Sequence, residues 1–185
     1  MGHGGDVIAE LTADHREVEE LFTQFENTPP GSTVRKRLVD ALTIELVRHS
    51  VAEEEYLHPA VREHLDRGDA LADKELADHF RVEKLLDDLQ KRKTDDLDFD
   101  RLVVELRTEV AAHISEEEKD LFAQLRKSVH PYVLEELGDK VRQAKKSAPT
   151  RPHPSAPSTP PANKLLAPGL GLVDRVRDYV SDHGR

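Results

Sequence analysis

The apolar residues from Ile8 to Val141 recur at alternating steps of three and four positions. This spacing marks one face of an α-helix, so each run of it predicts an amphipathic helix. Four long runs and a shorter fifth follow one another, separated by turns rich in Gly, Pro, Asn and Asp. We therefore predict an all-α protein whose first four helices form an up-down-up-down antiparallel four-helix bundle, with a short fifth helical segment and a flexible C-terminal tail.

Residues that cap helices place the boundaries of these segments. The helices are expected to begin at Asp6, at Ser32 or Thr33, at Asp69 or Asp73, at Asp98 and at Pro131. Pro59 should kink or end the second helix, and a short helical turn should continue to Gly68. Gly138 weakens the fifth segment, because glycine is a poor helix former.

The C-terminal part of the chain has a different composition. Residues 147–164 are rich in Pro, Ser and Ala, which is typical of a linker that builds no core. Residues 165–185 interleave Leu and Val with charged residues, and they predict either a short amphipathic helix or a frayed tail. We thus divide the chain into a helical domain over residues 1–146, a linker over residues 147–164 and this C-terminal segment.

The two halves of the predicted bundle carry the same polar motifs 64 positions apart. The first half has His15 and a His-x3-Glu motif at residues 49–53, and the second half has His79 and the same motif at residues 113–117. Residues four apart lie on one face of a helix, so each motif aims an imidazole and a carboxylate in the same direction. Two hairpins of equal layout predict a pseudo-twofold axis with these side chains near the bundle centre.

Six side chains of these motifs lie on helix faces that are otherwise apolar: His15, His49, Glu53, His79, His113 and Glu117. Burial of an ionised carboxylate is costly without a positive partner, and no Lys or Arg occupies the faces at this level. A pair of cations would supply that charge, and mixed imidazole and carboxylate donors suit iron, manganese or zinc. The six residues are therefore candidate metal ligands.

The other histidines are left out of the predicted site: His3, His58, His64, His130, His153 and His183. Five of them lie in tails, in a turn or beyond Pro59. His58 is nine positions from His49, which places it about 180° around a regular helix. We therefore expect it to face away from the other candidate ligands.

Charge and composition narrow the function further. The formal net charge is −10, which argues against a nucleic-acid surface and against binding to anionic membranes. The chain has no cysteine, so disulfides and thiolate metal sites are excluded. It shows neither a secretory signal nor an apolar run long enough to span a bilayer. We expect a cytoplasmic protein that is a monomer or a weak homo-oligomer.

The spacing of the motifs resembles that of the hemerythrin-like HHE cation-binding family over about residues 6–128. The fifth segment, with residues 135–140, and the proline-rich linker after it resemble the actinobacterial branch of that family. The resemblance implies that the six candidate ligands bind two iron ions bridged by an oxo or hydroxo group, with Glu53 and Glu117 as bridging carboxylates. Manganese or zinc is the less favoured alternative. A ferritin-type site is disfavoured, because it needs a Glu-x2-His motif on each of two helices and only Glu55-x2-His58 occurs here.

The sequence departs from oxygen-carrying hemerythrins at two points. Those proteins have His-x3-His on the third helix, where this chain has Glu75-x3-His79, and His-x4-Asp on the fourth, where this chain has His-x3-Glu at residues 113–117. Glu75 is a candidate additional ligand in place of the missing histidine. Tyr56, on the same predicted face as the first His-x3-Glu motif, is another candidate.

The resemblance implies a non-haem di-iron protein with an open coordination position for a small ligand. The leading hypothesis is binding of dioxygen, peroxide or nitric oxide in sensing, storage or detoxification as part of a stress response, with no separate catalytic residue. One alternative is a catalase-like enzyme that decomposes peroxide, since an extra carboxylate in place of a histidine favours ferric iron. Another is a regulatory module, in which loss of iron or oxygen changes the exposure of the C-terminal tail.

Overall fold

The computed structural model describes residues 4–154, and these residues form seven α-helices and no strand. In chain order the helices are α1 (Val7–Glu26), α2 (Thr33–Ala52), α3 (His58–His64), α4 (Gly68–Gln90), α5 (Phe99–Glu116), α6 (Phe122–Ser128) and α7 (Pro131–Ser147). One π-helical turn, Glu53–Leu57, joins α2 to α3, and a second, Glu117–Leu121, joins α5 to α6. The predicted C-terminal segment 165–185, most of the predicted linker, His3 and His183 lie outside the described residues.

The bundle has four rods: α1, α2 continued by α3, α4, and α5 continued by α6. α1 packs on α2, α3 packs on α4, and α4 packs on α5. Because the connections between successive rods are short, neighbouring rods run in opposite directions. The prediction of an all-α four-helix bundle with a fifth helical segment is confirmed.

A layer of polar side chains divides the apolar core of the bundle into two clusters. The cluster beside α7 includes Leu11 of α1, and the cluster at the other end of the bundle includes Val18 of the same helix. His15 lies between these two residues, and the rods of α2 and α4 also pass from one cluster to the other near a histidine. On the rod of α5 the change falls between Ile114 and Leu121, around Glu117. Apolar packing is therefore interrupted at the same level on all four rods.

Side-chain caps explain the starts of the first two helices. Asp6 Oδ1 accepts a hydrogen bond of 2.8 Å from the backbone N–H of Ala9, and Ser32 Oγ accepts one of 3.2 Å from Val34. Both contacts satisfy backbone donors that have no partner within the first turn of a helix. The predicted caps of α1 and α2 are thus confirmed.

The start of α4 differs from the prediction, because the helix begins at Gly68 and neither Asp69 nor Asp73 caps it. Both aspartates instead accept hydrogen bonds from Arg62 of α3, at 3.0 and 2.6 Å. A Cβ atom at Gly68 would lie 2.2 Å from the backbone oxygen of Val61. The close turn between α3 and α4 therefore requires glycine, and this packing sets the first residue of the helix.

The predicted fifth helical segment is α7, which lies against α1, α2 and the first π turn. It runs without a break through Gly138, although glycine is a poor helix former. A Cβ atom at this position would lie 2.6 Å from the backbone oxygen of Gly5. The missing side chain lets the N-terminal backbone pack directly on α7, which explains why the helix tolerates a glycine here.

The first residues beyond α7 pack on the bundle, although they belong to the predicted linker. Ala148 and Thr150 are buried, and the backbone N–H of His153 donates a 2.6 Å hydrogen bond to Glu83 Oε1 on α4. Small side chains and a carboxylate partner for the backbone allow this short segment to lie close to the helices. Within residues 4–154, no helix combines the length and the apolar content that crossing a bilayer requires.

Candidate metal centre

The six predicted ligands form the polar layer that separates the two apolar clusters, and all of them are buried: His15, His49, Glu53, His79, His113 and Glu117. The side chains of Glu53 and Glu117 are completely inaccessible to solvent. Four rods thus contribute to one level of the bundle, as the repeat predicts. The name polar layer is used below for these six residues.

The first candidate metal position lies among His15, His49, Glu53 and Glu117, whose nearest donor atoms are all within 4.8 Å of one another. The Nε2 atom of His49 is 3.1 Å from Glu53 Oε1, and the Nε2 atom of His15 is 3.3 Å from Glu117 Oε2. Two imidazoles and two carboxylates therefore converge on one small volume.

The second candidate metal position lies on the side of the layer that carries His79 and His113. The Nε2 atom of His79 is 3.1 Å from Glu53 Oε2, and the Nε2 atom of His113 is 3.5 Å from Glu117 Oε2. Glu53 hence presents one oxygen to a histidine of each position, which is the arrangement of a bridging carboxylate. Glu117 also stands between His15 and His113, but the same oxygen, Oε2, is the one near both histidines.

The donor atoms that point into the layer have no hydrogen-bond partner among the described residues. This holds for the Nε2 atoms of all four histidines and for both carboxylate oxygens of Glu53 and of Glu117. Buried polar atoms are nearly always paired, so eight unpaired atoms aimed at one another need a common partner. Metal cations fit this set, because imidazole nitrogens and carboxylate oxygens are the donors that iron, manganese and zinc accept.

Carboxylates also contact the outward Nδ1 nitrogens of all four histidines, and the contact of His113 is with Glu75. The Nδ1 atoms of His15, His49 and His79 lie 2.8, 3.3 and 3.1 Å from Glu118, Asp14 and Glu54, respectively. Such a contact fixes the ring orientation and makes the opposite nitrogen a better metal donor. Sequence reasoning missed these three acidic residues, although each one directly adjoins a candidate ligand and recurs in the repeat.

The charges of the layer favour ionised carboxylates. Burial lowers the pKa of His49, but the neighbouring charges of Glu53 and Asp14 outweigh this effect and raise the pKa of His49 to about 10. Burial raises the pKa of Glu53, whereas His49 and His79 lower it, and the net result is a pKa well below the usual value. Without a cation, Glu53 is therefore anionic and His49 carries a proton, which a metal ion would displace when it binds to the ring.

His58 lies in the site, so the expectation that it faces away from the other ligands is wrong. Its ring is buried, stands 5.2 Å from the ring of His79, and has no hydrogen-bond partner at either nitrogen within the described structure. Donor atoms of His58, His79 and Glu53 lie within 4.8 Å of one another. Burial and the neighbouring charge of His79 lower the pKa of His58 to about 3, which keeps the ring neutral and able to bind a cation.

The π turn between α2 and α3 explains the orientation of His58. A π turn adds one residue to an α-helix, so the side chains that follow it are rotated by about 100° from their regular positions. In the second half of the repeat the same rotation brings Phe122 against His15, with ring centroids 5.9 Å apart. The two halves therefore place a histidine at one candidate position and a phenylalanine at the other.

The structure places the two additional candidates differently. Glu75 is buried, and its Oε2 atom is 2.9 Å from His113 Nδ1, within the group that also includes Glu117. Tyr56 is half-buried and packs against the apolar cluster beside α7, where burial and the charge of Glu55 raise the pKa of its hydroxyl group and Lys140 partly offsets them. Glu75 thus lies at the outward nitrogen of His113, as Asp14 lies at that of His49, and ligation by Glu75, like ligation by Tyr56, stays a prediction.

A cavity of about 20 Å³ opens next to the polar layer. Its walls combine the four histidines of the layer with apolar residues and one serine: Val18, Leu46, Ser50, Val82, Val110 and Ile114. A volume of this size holds one molecule about as large as water. The arrangement can therefore admit a very small ligand to the metal side of the histidines.

Comparisons with known proteins agree with this geometry. The family model of the hemerythrin HHE cation-binding domain matches residues 6–125. An uncharacterized hemerythrin-like protein of Schizosaccharomyces pombe is 28% identical over 168 residues, which cover 90% of this chain and 82% of that protein. A DNA nickase of Nostoc is 27% identical over 136 residues, but these cover 73% of this chain and only 38% of the nickase.

A solved structure is similar over the same region. The crystal structure of a hemerythrin HHE cation-binding domain-containing protein from Mycobacterium kansasii has a TM-score of 0.67 and 25% sequence identity. The match covers 77% of this chain and 88% of the solved chain.

Proposed function

The chain belongs to the hemerythrin HHE cation-binding domain family, and from this premise we propose that it is a non-haem di-iron protein that binds dioxygen or a related small ligand. The observation that carries the proposal is the environment of Glu53. Its two oxygens face His49 and His79, which lie in different halves of the repeat, and neither oxygen has another partner among residues 4–154. A pair of cations bridged by this carboxylate accounts for both contacts.

The donors divide unequally between the two iron ions. His15 and His49 would bind the first ion, and His79 and His113 would bind the second, with Glu53 and Glu117 shared. His58 lies beside His79 and Glu53, and Glu75 lies beside His113 and Glu117. If both ligate the second ion, the first ion would have fewer protein ligands. An ion with fewer ligands keeps a coordination position open, and open positions distinguish reactive metal sites from structural ones.

The iron ions would supply a vacant coordination position and a change of oxidation state, and the protein selects the ligand by size. The adjoining cavity of about 20 Å³ would admit only a very small ligand, such as dioxygen, peroxide or nitric oxide, and would exclude larger substrates. Its apolar walls, including Leu46 and Val110, limit the access of water and influence the redox potential of the metal.

Exposure of the anaerobic ferrous protein to dioxygen or nitric oxide tests the proposal. We expect two iron ions per chain and a visible absorption band that appears with the gas and disappears when the gas is removed. Val110→Phe should retain the iron but weaken ligand binding by about 10–100-fold, because overfilling a tight cavity costs about 1–3 kcal/mol.

Val104→Phe is the matched control, since Val104 lies on the same helix but is 66% exposed. It should leave both the iron content and the ligand affinity unchanged. A chain that holds no stoichiometric metal would contradict the di-iron proposal, and iron that oxidises irreversibly without a bound state would contradict ligand binding.

A catalase-like activity is the second candidate, and the position of Glu75 favours it. This carboxylate lies beside His113 in the second half of the repeat, whereas the equivalent position in the first half is Leu11. An additional negative charge stabilises ferric iron and opposes reversible oxygen binding. Oxygen release from added peroxide, in proportion to the iron content, would support this function, and its absence at full iron loading would exclude it.

His58→Phe tests the unequal division of the ligands, because phenylalanine occupies the equivalent position 122 in the other half. We expect the affinity for the second ion to fall by at least about 10-fold. This is the smallest loss typical of removing a residue that only supports a ligand, and a direct ligand should contribute more. Titration of the apo protein with metal in the presence of a competing chelator measures this change. His64→Phe, at an exposed position of the same helix, should have no effect. Equal affinities in the two variants would exclude His58 as a ligand.

A further inference from the structure

Lys145 of α7 is buried although lysine is usually exposed. The face that α7 turns toward the bundle carries Leu134, Leu137 and Val141, and the next residue on this face is Lys145. Its side chain is 7% exposed. An ammonium group at such a position needs charged partners, because burial of an isolated charge is very costly.

The partners of Lys145 are two carboxylates of α1. Its Nζ atom donates to Glu10 Oε1 at 3.0 Å and also to Asp14 Oδ1. Glu10 has other donors as well, because it accepts hydrogen bonds from the backbone N–H of Gly4 and from Arg142. Lys145 therefore connects α7 to the face of α1 that also carries the candidate ligand His15.

Asp14 links this ion pair to a candidate ligand. While Oδ1 accepts from Lys145, Oδ2 lies 3.3 Å from His49 Nδ1, and His49 Nε2 points toward Glu53 at 3.1 Å. All four side chains are buried. The contacts thus form a continuous path from an ammonium group on α7 to the first metal position.

The second half of the repeat has no equivalent of this path. Asp78 corresponds to Asp14, but its carboxylate pairs with Lys74 and Arg81 on its own helix. His113, which corresponds to His49, has Glu75 beside its Nδ1 atom instead. The difference arises from α7, which packs against α1 and α2 and makes no comparable contact with the second half.

We propose that Lys145 is a positioning residue for the first metal position and acts through Asp14 on His49. The inference rests on the proposed metal binding. Lys145 holds Oδ1 of Asp14 and so directs Oδ2 toward His49, while it also balances the nearby negative charge of Glu10. Because the outward contact of a ligating histidine sets the aim and the donor strength of its other nitrogen, loss of Lys145 affects the first ion and spares the second.

Titration of the apo protein with Co²⁺ alone, against a competing chelator, tests this inference. The wild-type protein is expected to bind two ions in steps that the visible absorption of Co²⁺ resolves. Lys145→Met should weaken one step by about 10–100-fold and leave the other unchanged. Lys146→Met is the matched control, because it makes the same change at an exposed position on the same helix.

A double-mutant cycle identifies Asp14 as the intermediary. Asp14→Asn should weaken the same step, and adding Lys145→Met to it should cause no further loss, since residues on one path are not additive. Equal weakening of both steps, full additivity, or no effect of Lys145→Met would overturn the inference. A wild-type protein that binds no metal would overturn the di-iron proposal together with it.

The variant Glu10→Gln/Lys145→Met tests whether the effect of Lys145→Met comes only from an unbalanced buried charge that destabilises the fold. It removes one negative and one positive charge together, so the buried charge stays balanced while Asp14 alone loses its ammonium partner. We expect the same selective loss at one binding step. An unchanged affinity in this variant would show that Lys145 serves only to balance charge.

Discussion

Replacing Glu53 with glutamine is expected to remove both metal ions from the protein. Its two oxygens face histidines of different halves, so the amide loses a negative charge that both positions share. Loss of a residue that only contacts a ligand from outside weakens metal binding by about 10–100-fold. Because Glu53 is expected to bind both ions directly, the metal affinity of each position should fall by more than this. Metal analysis of protein expressed with excess iron and then desalted measures the content of each variant.

Glu63→Gln is the matched control, because Glu63 lies on α3 at an exposed position and undergoes the same chemical change. It should retain the wild-type metal content. If Glu53→Gln lost one ion and kept the other at full affinity, Glu53 would belong to a single position and the bridging arrangement would be wrong.

Metal removal is expected to cause a large loss of thermal stability. The polar layer separates the two apolar clusters, and without cations its carboxylates and imidazoles are buried with no other partner in the described structure. A ligand that binds only the folded state stabilises it by about 4 kcal/mol at a free concentration of about 1,000 times Kd. For a chain of this size, that corresponds to a decrease in Tm of about 8–16 °C on metal removal.

Thermal unfolding followed by circular dichroism, with and without metal under anaerobic conditions, measures this difference. The variant Glu53→Gln/Glu117→Gln supplies the control, since it removes both shared carboxylates and should unfold at the same temperature in either condition. Identical Tm values for loaded and metal-free wild-type protein would show that the layer is stable without cations.

The helices and the six candidate ligands follow from features that are local in sequence. The recurrence of apolar residues every three or four positions reports the helix period directly, and Asp6 and Ser32 act on backbone groups only two or three residues away. The ligands could be identified because the repeat places each one twice, on faces that otherwise carry Leu and Val. Glu75 is the exception to the repeat, and it lies buried beside the outward nitrogen of His113, where its role as a ligand stays a prediction.

The position of His58 could not be predicted from helix periodicity. Its position was derived from a regular helix, and a single inserted π turn between α2 and α3 invalidates that geometry. Nothing in the apolar spacing marks the insertion, because π turns at such sites are stabilised by the contacts that they create and not by residue preference. Similarly, α4 begins at Gly68 because α3 approaches it closely, which the aspartates that follow do not reveal.

The amino-acid pattern was sufficient to establish the bundle, the duplication and a site of histidines and carboxylates, since helix period and ligand spacing are properties of single helices. The unequal surroundings of the two candidate metal positions arise from packing between helices. The π turn directs His58 toward His79, and α7 brings Lys145 to Asp14 across 131 residues of chain. Contacts of this kind depend on how separate helices meet in space, and no local spacing rule encodes that geometry.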